Sequence, residues 1–271
     1  MKERTAVILC GGRGKRLGSI GDQMPKTLVN VHGKPILWYI FMRLYAEGFR
    51  HFVLPLGYRG HLIQGFIDNS LTDFDMRIDA IPTGEETEVG LRLDRVRHLL
   101  PDDSFLLVNG DTLFDFDVAG MADRHDASGA DVTLTSCEVV SQFGLLVLQD
   151  EKVVGFTRDS IVQGFQVATR PGGAALPARV NAGIALIRKS ALDAVDLAKT
   201  QNFEIELYQA LIARDKARHH PIDGFWFAID TPKDLDIANS RQHGDSRSEG
   251  TLALAAKLSD AFDTLVAARK P

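Results

Sequence analysis

An apolar run that ends in a glycine-rich, cationic turn constrains this chain more than any other feature. The segment Ala6 to Leu17 reads AVILCGGRGKRL, and Pro25-Lys26 follows shortly after it. Glycines allow positive φ angles and bring backbone N–H groups close to a phosphate, while Arg and Lys side chains neutralise its charge. The segment therefore predicts a strand, a turn that wraps a polyphosphate, and chemistry on a nucleoside triphosphate.

Two other glycine loops fit this segment less well. A dinucleotide-binding turn opens directly into a helix, whereas Gly18, Gly21 and Pro25 interrupt any helix here. A Walker-type loop places Lys-Ser or Lys-Thr directly after its last glycine, but Gly14 is followed by Lys15-Arg16. A surface turn with solvated charges is the remaining alternative for this segment taken alone.

Composition narrows the class of protein. The chain has 271 residues, of which 45% are hydrophobic and 25% charged, as expected for one large soluble α/β domain. Its net charge of -5 favours neither nucleic acid nor an anionic membrane as a partner. Cys10 and Cys137 form no ligand or disulfide pattern, so we expect a cytoplasmic protein. We expect neither a signal peptide nor a membrane-spanning segment.

Short apolar runs alternate with helical patterns, which predicts a Rossmann-like α/β fold. We expect a mixed, mainly parallel sheet flanked by helices. The predicted strands of the first half are Thr5 to Cys10, His51 to Leu56, Met76 to Ile81 and Ser104 to Asn109. Helices are predicted from Lys34-Pro35 onward and over Glu88 to Leu100.

The second half is richer in β-formers. Predicted strands are Asp131 to Val139, Phe143 to Leu148, Val153 to Thr157, Val180 to Ile187 and His219 to Ile222. Helices are predicted over Lys189 to Ala198 and Glu204 to Arg214, and a loop over Gln163 to Pro177. We therefore divide a catalytic domain, residues 1–242, into a nucleotide-binding half, 1–112, and an acceptor-binding half, 113–242.

The C-terminal segment, residues 243–271, is predicted to be a linker followed by an amphipathic helix. The polar stretch Gln242 to Gly250 is typical of a linker, and a helical pattern runs from Thr251 to Ala268. Its apolar stripe consists of Leu254, Leu258, Phe262 and Leu265. We expect this stripe to dock on the body or on a partner subunit, which is compatible with a homo-oligomer.

Two acidic residues follow strand-like runs and are candidates for a metal site. Asp111 ends the run Val108-Asn109-Gly110-Asp111, and Asp230 ends Ala228-Ile229-Asp230. Either one alone is equally well explained as a turn or helix-capping residue. Together at the end of one sheet, their carboxylate oxygens suit Mg²⁺, which binds one or two carboxylates plus substrate phosphates.

Several segments, taken in chain order, resemble the sugar-1-phosphate nucleotidylyltransferases. Besides the glycine turn they are Gly33 to Trp38, Leu56 to Gly60, Thr83 to Thr87 with Arg92, Asn181 to Gly183, and Gly224 to Thr231. Within that family they resemble most the glucose-1-phosphate cytidylyltransferases. The match extends over about residues 5 to 240 and leaves out the C-terminal stripe.

The resemblance implies a GT-A-like nucleotidyltransferase fold and a reaction. The reaction is Mg²⁺-dependent transfer of a nucleotidyl group from CTP to glucose 1-phosphate or a related sugar 1-phosphate. We expect the activated sugar to serve the biosynthesis of a surface polysaccharide or of a specialised glycoside.

The resemblance also implies roles for individual residues. Catalytic roles fall to Arg16, Lys26 and Asp111, and Mg²⁺ would be held by Asp111 and Asp230. The nucleotide-binding residues would be Leu9, Gly11, Gly12, Gly14, Arg16, Lys26, Thr83, Gly84, Glu85 and Gly110. The sugar-phosphate-binding residues would be Arg158, Asn181, Gly183, Glu204 and Trp226.

Departures from the family pattern keep other functions open. Lys15 stands where the family usually has Thr, Thr27 where it often has Pro, and Arg158 near the position of a phosphate-binding lysine. A guanidinium fork differs from a lysine point charge. UTP, dTTP or GTP as donor, with a heptose or other sugar phosphate, is therefore an alternative. A non-catalytic, nucleotide-sugar-binding regulatory subunit is an alternative from another class.

Overall fold

The computed structural model describes residues 4–141, 143–158, 160–168 and 173–268, with side chains described as far as residue 262. The strands are β1 (Arg4–Leu9), β2 (Asn30–Val31), β3 (Lys34–Pro35), β4 (Phe49–Leu56), β5 (Arg77–Pro82), β6 (Ser104–Asn109), β7 (Thr112–Asp115), β8 (Val132–Cys137), β9 (Val139–Val140), β10 (Leu145–Gln149), β11 (Lys152–Thr157), β12 (Ile161–Val162), β13 (Phe165–Ala168), β14 (Ala175–Ala178), β15 (Val180–Arg188), β16 (Ala217–Pro221) and β17 (Phe225–Ala228). The α-helices are α1 (Ser19–Gln23), α2 (Ile36–Ala46), α3 (Gly60–Ser70), α4 (Val89–Val96), α5 (Val118–Ser128), α6 (Phe203–Ile212), α7 (Pro232–Asn239) and α8 (Ser246–Ala268).

A seven-stranded sheet forms the centre, in the order β16-β8-β15-β6-β1-β4-β5. The run β6-β1-β4-β5 within this sheet is parallel throughout. Strand β15 is antiparallel to both of its neighbours, β6 and β8. The sheet is therefore mixed and mainly parallel, and the predicted fold class is confirmed. The carboxyl ends of β1, β4, β5 and β6 lie at one edge, where open α/β sheets bind ligands.

Side-chain alternation along the central strands gives the sheet two apolar faces. Ala6 and Ile8 of β1 pack in a core cluster with α2, whereas Val7 packs on the opposite face with α4 and α6. Side chains two residues apart share a face of a strand, so burial on both faces explains the continuous apolar run. The predicted helix after Pro35 is confirmed, and Ile36, among others, is completely buried.

A short antiparallel ribbon outside the main sheet connects the two halves of the chain. Strand β7 pairs with β17, with Thr112 opposite Ala228. The N–H of Ile229 also donates to the Asp111 carbonyl at 3.0 Å. This pairing joins a segment that follows β6 to one that lies more than a hundred residues later in the sequence.

The segment predicted as a loop, Gln163 to Pro177, contains paired strands instead. Phe165 lies opposite Ala178 in the β13–β14 pair, while residues 169–172 lie outside the described residues. The Gly, Ala and Pro content of the segment concealed its strand signal. Apolar side chains on the outlying strands β10 and β11, including Leu146 and Phe156, are exposed.

The helix predicted over Lys189 to Ala198 is a shorter 3-10 helix, Lys189–Ala194. At its first residue, the Lys189 N–H donates to the Asp103 carbonyl at 2.7 Å, and its Nζ donates to the Leu100 carbonyl at 2.9 Å. These tertiary hydrogen bonds fix the local backbone and override its helical propensity.

The C-terminal helix is longer than the sequence predicts, and its stripe faces inward. It begins at Ser246, inside the predicted linker, because Asp245 accepts from the Arg247 N–H at 2.9 Å and caps the first turn. Leu254 and Leu258 are buried in the core, and Phe262 lies 6.1 Å from the Trp38 ring centroid. The stripe thus docks on the body; the Leu265 side chain lies outside the described side chains.

Within the described residues, no helix combines the length and apolarity needed to cross a bilayer.

A buried histidine makes stability depend on pH. His125 is 1% exposed, and its ring nitrogens lie 3.0 Å from the Ser104 hydroxyl and 2.8 Å from the Thr133 hydroxyl. Burial lowers the pKa of His125 below its ordinary value of 6.5, and nearby Arg188 acts in the same direction. The unfolded chain therefore takes up this proton at a higher pH than the folded protein does.

We expect the free energy of unfolding to fall as pH drops below about 6.5, by about 1 kcal/mol per pH unit from this group. Urea unfolding at about pH 7.5 and about pH 5.5 measures the fall. The His125→Gln variant should show a smaller fall, because the buried titrating group is gone. His98→Gln, at an exposed position, is the matched control; equal pH dependence in both variants would contradict the assignment.

Candidate active site

A cleft of about 360 Å³ lies at the carboxyl ends of β1 and β6. Its lining includes both predicted metal-binding residues and most of the predicted nucleotide-binding residues. These are Leu9, Gly12, Gly14, Arg16, Lys26, Gly110, Asp111 and Asp230. The structure therefore brings together residues from the glycine turn, the end of β6 and the segment after β17.

Lys26 joins the two carboxylates at the centre of this cleft. Its Nζ lies 2.7 Å from Asp111 Oδ2 and 2.5 Å from Asp230 Oδ1. The Lys26 side chain is only 11% exposed, whereas that of Arg16 is 72% exposed. The two terminal nitrogens of the Arg16 guanidinium lie 2.9 and 3.0 Å from the Asp230 carboxylate oxygens. Two carboxylates and two cationic side chains thus lie in contact with one another in this cleft.

Local backbone structure positions these charges. Lys26 begins a 3-10 turn directly after Pro25. Asp111 is aligned with the segment before Asp230 by the β7–β17 ribbon. Asp230 is further fixed by the cap of α7, because the Asp234 carboxylate accepts from the backbone N–H of Asp230 at 3.2 Å and of Thr231 at 2.8 Å.

Arg92 connects three segments beside the cleft, namely the glycine turn, the end of β4 and the loop after β5. It is 5% exposed, and its guanidinium donates to Thr83 Oγ1 at 2.7 Å and to the carbonyls of Leu56, Gly11 and Glu85 at 3.1 to 3.3 Å. Burial lowers the pKa of Arg92. The planar fork matches this set of acceptors, so Arg92 holds the glycine turn in place rather than facing the cleft.

The predicted nucleotide residues Thr83, Gly11 and Glu85 contribute to this support. Thr83 is completely buried and donates its hydroxyl to the Leu56 carbonyl at 2.8 Å. The Gly11 carbonyl accepts from the Tyr58 N–H at 3.1 Å. None of these three lies among the described residues that line the cleft. Their direct contact with a nucleotide stays a prediction.

Close approach explains a glycine in the Leu56 to Gly60 motif. A Cβ at Gly57 would collide with the Gly11 carbonyl and the Arg92 guanidinium, so any side chain there would displace the glycine turn. Gly84, in the Thr83 to Thr87 motif, has a positive φ of 84° and is not among the described residues that line the cleft. Its nucleotide-binding role stays a prediction as well.

Sequence reasoning assigned no partner to Arg13, whose side chain reaches the loop after β5. Its guanidinium lies 2.7 Å from Glu86 Oε1, 3.9 Å from Glu85 Oε2 and 5.1 Å from the Tyr58 ring centroid. The Gly-Gly-Arg-Gly sequence marks Arg13 as part of the turn, but the partners of Arg13 are more than forty residues away in the chain.

Both cysteine thiols are buried. Cys10 lines the first cleft, and burial raises the pKa of its thiol to about 12. Burial likewise raises the pKa of Cys137 to about 12. The thiolate is the reactive form of cysteine, so burial disfavours that form in both residues.

A second cleft of about 480 Å³ adjoins the first, and Asp230 lines both. Trp226 is part of its lining and donates its indole N–H to the Ala182 carbonyl at 2.9 Å. Gly183, at a φ of 68°, packs against the side chain of Asn109, which lines the first cleft. The predicted sugar-phosphate residue Trp226 thus lines the second cleft, and Gly183 packs against a residue of the first.

The other predicted sugar-phosphate residues lie away from the described lining of both clefts. Asn181 is exposed and its Oδ1 accepts from the Gly183 N–H at 3.3 Å. Arg158 is exposed on the segment after β11. Glu204 lies in the first turn of α6, and burial raises its pKa. Acceptor binding by these three residues stays a prediction.

The donor set at the first cleft fits Mg²⁺. Asp111 and Asp230 present hard carboxylate oxygens to one point, and Mg²⁺ commonly binds one or two carboxylates together with substrate phosphates and water. Among the described residues, no group of three or more His, Cys, Asp or Glu side chains could hold a metal without a substrate.

A sequence model described as nucleotidyl transferase matches residues 5–243 of this chain. The chain therefore belongs to the sugar-1-phosphate nucleotidyltransferase family, and it is an enzyme of the nucleotidyltransferase class.

Two relatives and one solved structure illustrate the similarity. The glucose-1-phosphate cytidylyltransferase of Salmonella typhi is 31% identical over 252 residues, which cover 84% of this chain and 92% of the relative. The D-glycero-alpha-D-manno-heptose 1-phosphate guanylyltransferase of Aneurinibacillus thermoaerophilus is 26% identical, covering 88% and 98%. The crystal structure of HddC from Yersinia pseudotuberculosis has a TM-score of 0.60 at 20% identity, covering 87% and 97%, and shares the fold.

Replacing Arg92 by Lys should destabilise the protein and weaken nucleotide binding. A lysine cannot span the separated acceptors of three loops, so buried carbonyls lose their donors, and we expect a loss of about 2 kcal/mol in the free energy of unfolding. Urea unfolding and the KM for the nucleoside triphosphate measure both effects.

Arg97→Lys is the control, because the ion pair of Arg97 with Asp193 is partly exposed. A change within about 0.5 kcal/mol is expected there. Equal stability of the two variants would show that Arg92 does not organise the loops.

Proposed function

We propose that this enzyme transfers a cytidylyl group from CTP to glucose 1-phosphate or a related sugar 1-phosphate, giving a CDP-sugar and pyrophosphate. The convergence of Lys26 with Asp111 and Asp230 at the carboxyl end of the sheet carries the proposal for the reaction. The meeting of two clefts at Asp230 supports a donor in the first and an acceptor in the second.

The chemistry requires alignment and charge neutralisation. A phosphate oxygen of the sugar 1-phosphate attacks the α-phosphorus, the bond to the bridging oxygen breaks, and pyrophosphate leaves. The attacking phosphate is already anionic, so no strong general base is needed. The residues therefore contribute by holding two anions in line and stabilising the negative charge that develops.

Lys26 and Arg16 have different parts in this proposal. The Lys26 ammonium is nearly buried and held by two carboxylates, so it offers a fixed positive charge to the reacting phosphate. The exposed Arg16 guanidinium can exchange its partner Asp230 for the triphosphate with little rearrangement of the body. Charge-assisted hydrogen bonds of this kind bind phosphate strongly.

Mg²⁺ would be held by Asp111 and Asp230. When bound, it neutralises charge on phosphate oxygens. Both carboxylates also contact Lys26 Nζ, so a metal ion held by them would share their oxygens with the lysine ammonium.

CTP is supported by similarity rather than by the base pocket. The Salmonella typhi relative at 31% identity carries a cytidylyltransferase name, whereas the guanylyltransferase relative is 26% identical. Within the family resemblance, the cytidylyl assignment rests mainly on Gly57 to Gly60, Thr83 to Thr87 and Phe225-Trp226. GTP with a heptose phosphate, and UTP or dTTP with other sugars, are the competing donor and acceptor pairs.

Three other predictions stay predictions: the cytoplasmic location, a place in polysaccharide biosynthesis and a homo-oligomer. The homo-oligomer was predicted from the apolar stripe of α8, and in the structure this stripe packs on the body of the same chain.

Donor choice is tested with purified protein, Mg²⁺, glucose 1-phosphate and each of CTP, UTP, dTTP, GTP and ATP. We expect pyrophosphate release to be fastest with CTP, and the mass of the product to be that of CDP-glucose. A faster rate with GTP and a heptose 1-phosphate would replace the proposed donor and acceptor. Absence of product for every pair, together with tight binding, would favour the regulatory subunit.

The Asp111→Asn variant tests the metal and catalytic roles. Removing one carboxylate charge should lower turnover at saturating substrates by about a hundredfold and raise the Mg²⁺ concentration needed for half-maximal rate. A Mg²⁺ titration of the rate measures both. Asp102→Asn, at a fully exposed carboxylate, is the control and should behave as the wild type. An unchanged titration for Asp111→Asn would remove this residue from the site.

A further inference from the structure

Four of the five charged residues in the described lining of the first cleft are paired with one another. Lys26 contacts both Asp111 and Asp230, and the Arg16 guanidinium contacts the two oxygens of Asp230. Together these four side chains carry no net charge. A carboxylate in contact with a cation offsets the attraction that the cation offers to an approaching anion. The four paired residues alone therefore give the cleft little positive potential for a triphosphate.

Arg13, on the same glycine turn, is compensated as well. Its Nη2 lies 2.7 Å from Glu86 Oε1 and 3.9 Å from Glu85 Oε2, both in the loop after β5. Arg13 is also not among the described residues that line the first cleft. Its charge therefore joins two loops beside the cleft and does not add to the charge of the lining.

Lys15 is the fifth charged residue of the lining, and its ammonium is free. The side chain is exposed at the first cleft and has no hydrogen bond or ion pair with any residue that the structure describes. Its backbone is fixed, because Lys15 begins a 3-10 turn directly after the left-handed Gly14, and its carbonyl accepts from the Gly18 N–H at 3.2 Å. An ammonium on a flexible four-carbon stem keeps all three of its donors for a ligand.

Exposure orders the three cations from the floor of the cleft to its mouth. The Lys26 side chain is 11% exposed and that of Arg16 is 72% exposed, while Lys15 is exposed as well. In the proposed reaction the nearly buried Lys26 faces the reacting phosphate. The two outer phosphates of the donor carry most of its negative charge, and they would extend from that point toward the exposed cations. The uncompensated charge of Lys15 thus lies where the most anionic part of the donor would be bound.

We propose that Lys15 binds the β- and γ-phosphates of the nucleoside triphosphate, the pair that leaves as pyrophosphate. This inference rests on the proposed function and adds to it a residue of the leaving-group site. Lys15 makes no covalent bond: its ammonium donates hydrogen bonds to phosphate oxygens and stabilises the charge that develops on the departing pyrophosphate. The same contact retains the product, so pyrophosphate inhibits the enzyme through Lys15.

The test is calorimetric titration of the wild type, Lys15→Thr, Lys15→Arg and Lys152→Thr with pyrophosphate, CTP and CMP. If another donor is used faster, that triphosphate and its monophosphate replace CTP and CMP. We expect Lys15→Thr to raise the Kd for pyrophosphate and for CTP about fivefold, because one charge-assisted contact is lost at an exposed position. The Kd for CMP, which lacks the two outer phosphates, should stay within about twofold of the wild-type value.

Three comparisons separate the charge of Lys15 from an effect on the shape of the turn. Lys15→Arg keeps the charge, so its affinities should stay within about twofold of the wild type. Lys152→Thr makes the same substitution at an exposed lysine of β11, outside the described lining of both clefts, and should change none of the affinities. The deficit of Lys15→Thr should also shrink between about 0.05 and about 0.5 M NaCl, because salt screens an exposed charge.

Two results would overturn the inference. One is a Kd for pyrophosphate that is the same in Lys15→Thr as in the wild type, or a wild type that binds no pyrophosphate. The other is an equal rise in the Kd for CMP and for pyrophosphate, which would assign Lys15 to the shape of the glycine turn alone. Failure of the proposed function is distinguishable, because the wild type would then form no sugar nucleotide from any donor, whereas the titrations measure binding without turnover.

Discussion

The contact of one lysine with two aspartates is the interaction on which the site depends. Lys26 brings the carboxylates of Asp111 and Asp230 to the same ammonium, although the three residues come from three separate parts of the chain. Without the Lys26 ammonium between them, two carboxylates placed this close together would repel each other. The arrangement therefore keeps the anionic groups together in the absence of substrate, at the place where phosphates and a metal ion would bind.

A second layer of residues holds this arrangement in shape. The buried Arg92 satisfies carbonyls of three loops, and its own desolvation is offset by these hydrogen bonds. The capping box of α7, formed by Thr231 and Asp234, fixes the backbone at Asp230. Neither Arg92 nor the capping box lies at the centre of the cleft, but both help to fix the positions of its charged side chains. Catalysis by electrostatic stabilisation depends on such preorganisation.

The strand and helix pattern was largely predictable because it depends on local periodicity. The runs around β1, β4, β5 and β6 carry the continuous apolar residues of strands buried on both faces, and Pro35 marks the start of α2. The errors arose where tertiary contacts or capping decided the outcome. Asp245 starts α8 earlier than the polar composition predicted, and the hydrogen bonds of Lys189 shorten the helix that follows β15.

The sequence by itself indicated the class of ligand, because glycines, Arg16 and Lys26 after an apolar strand predict a turn suited to a polyphosphate. It also singled out Asp111 and Asp230 as candidates. Only the tertiary structure decided that these two meet, since the β7–β17 pairing is non-local and leaves no periodic signal in either segment. The same reason applies to Arg92 behind the turn. A side chain's partners are set by which elements the fold places side by side, and that information is distributed over the whole chain.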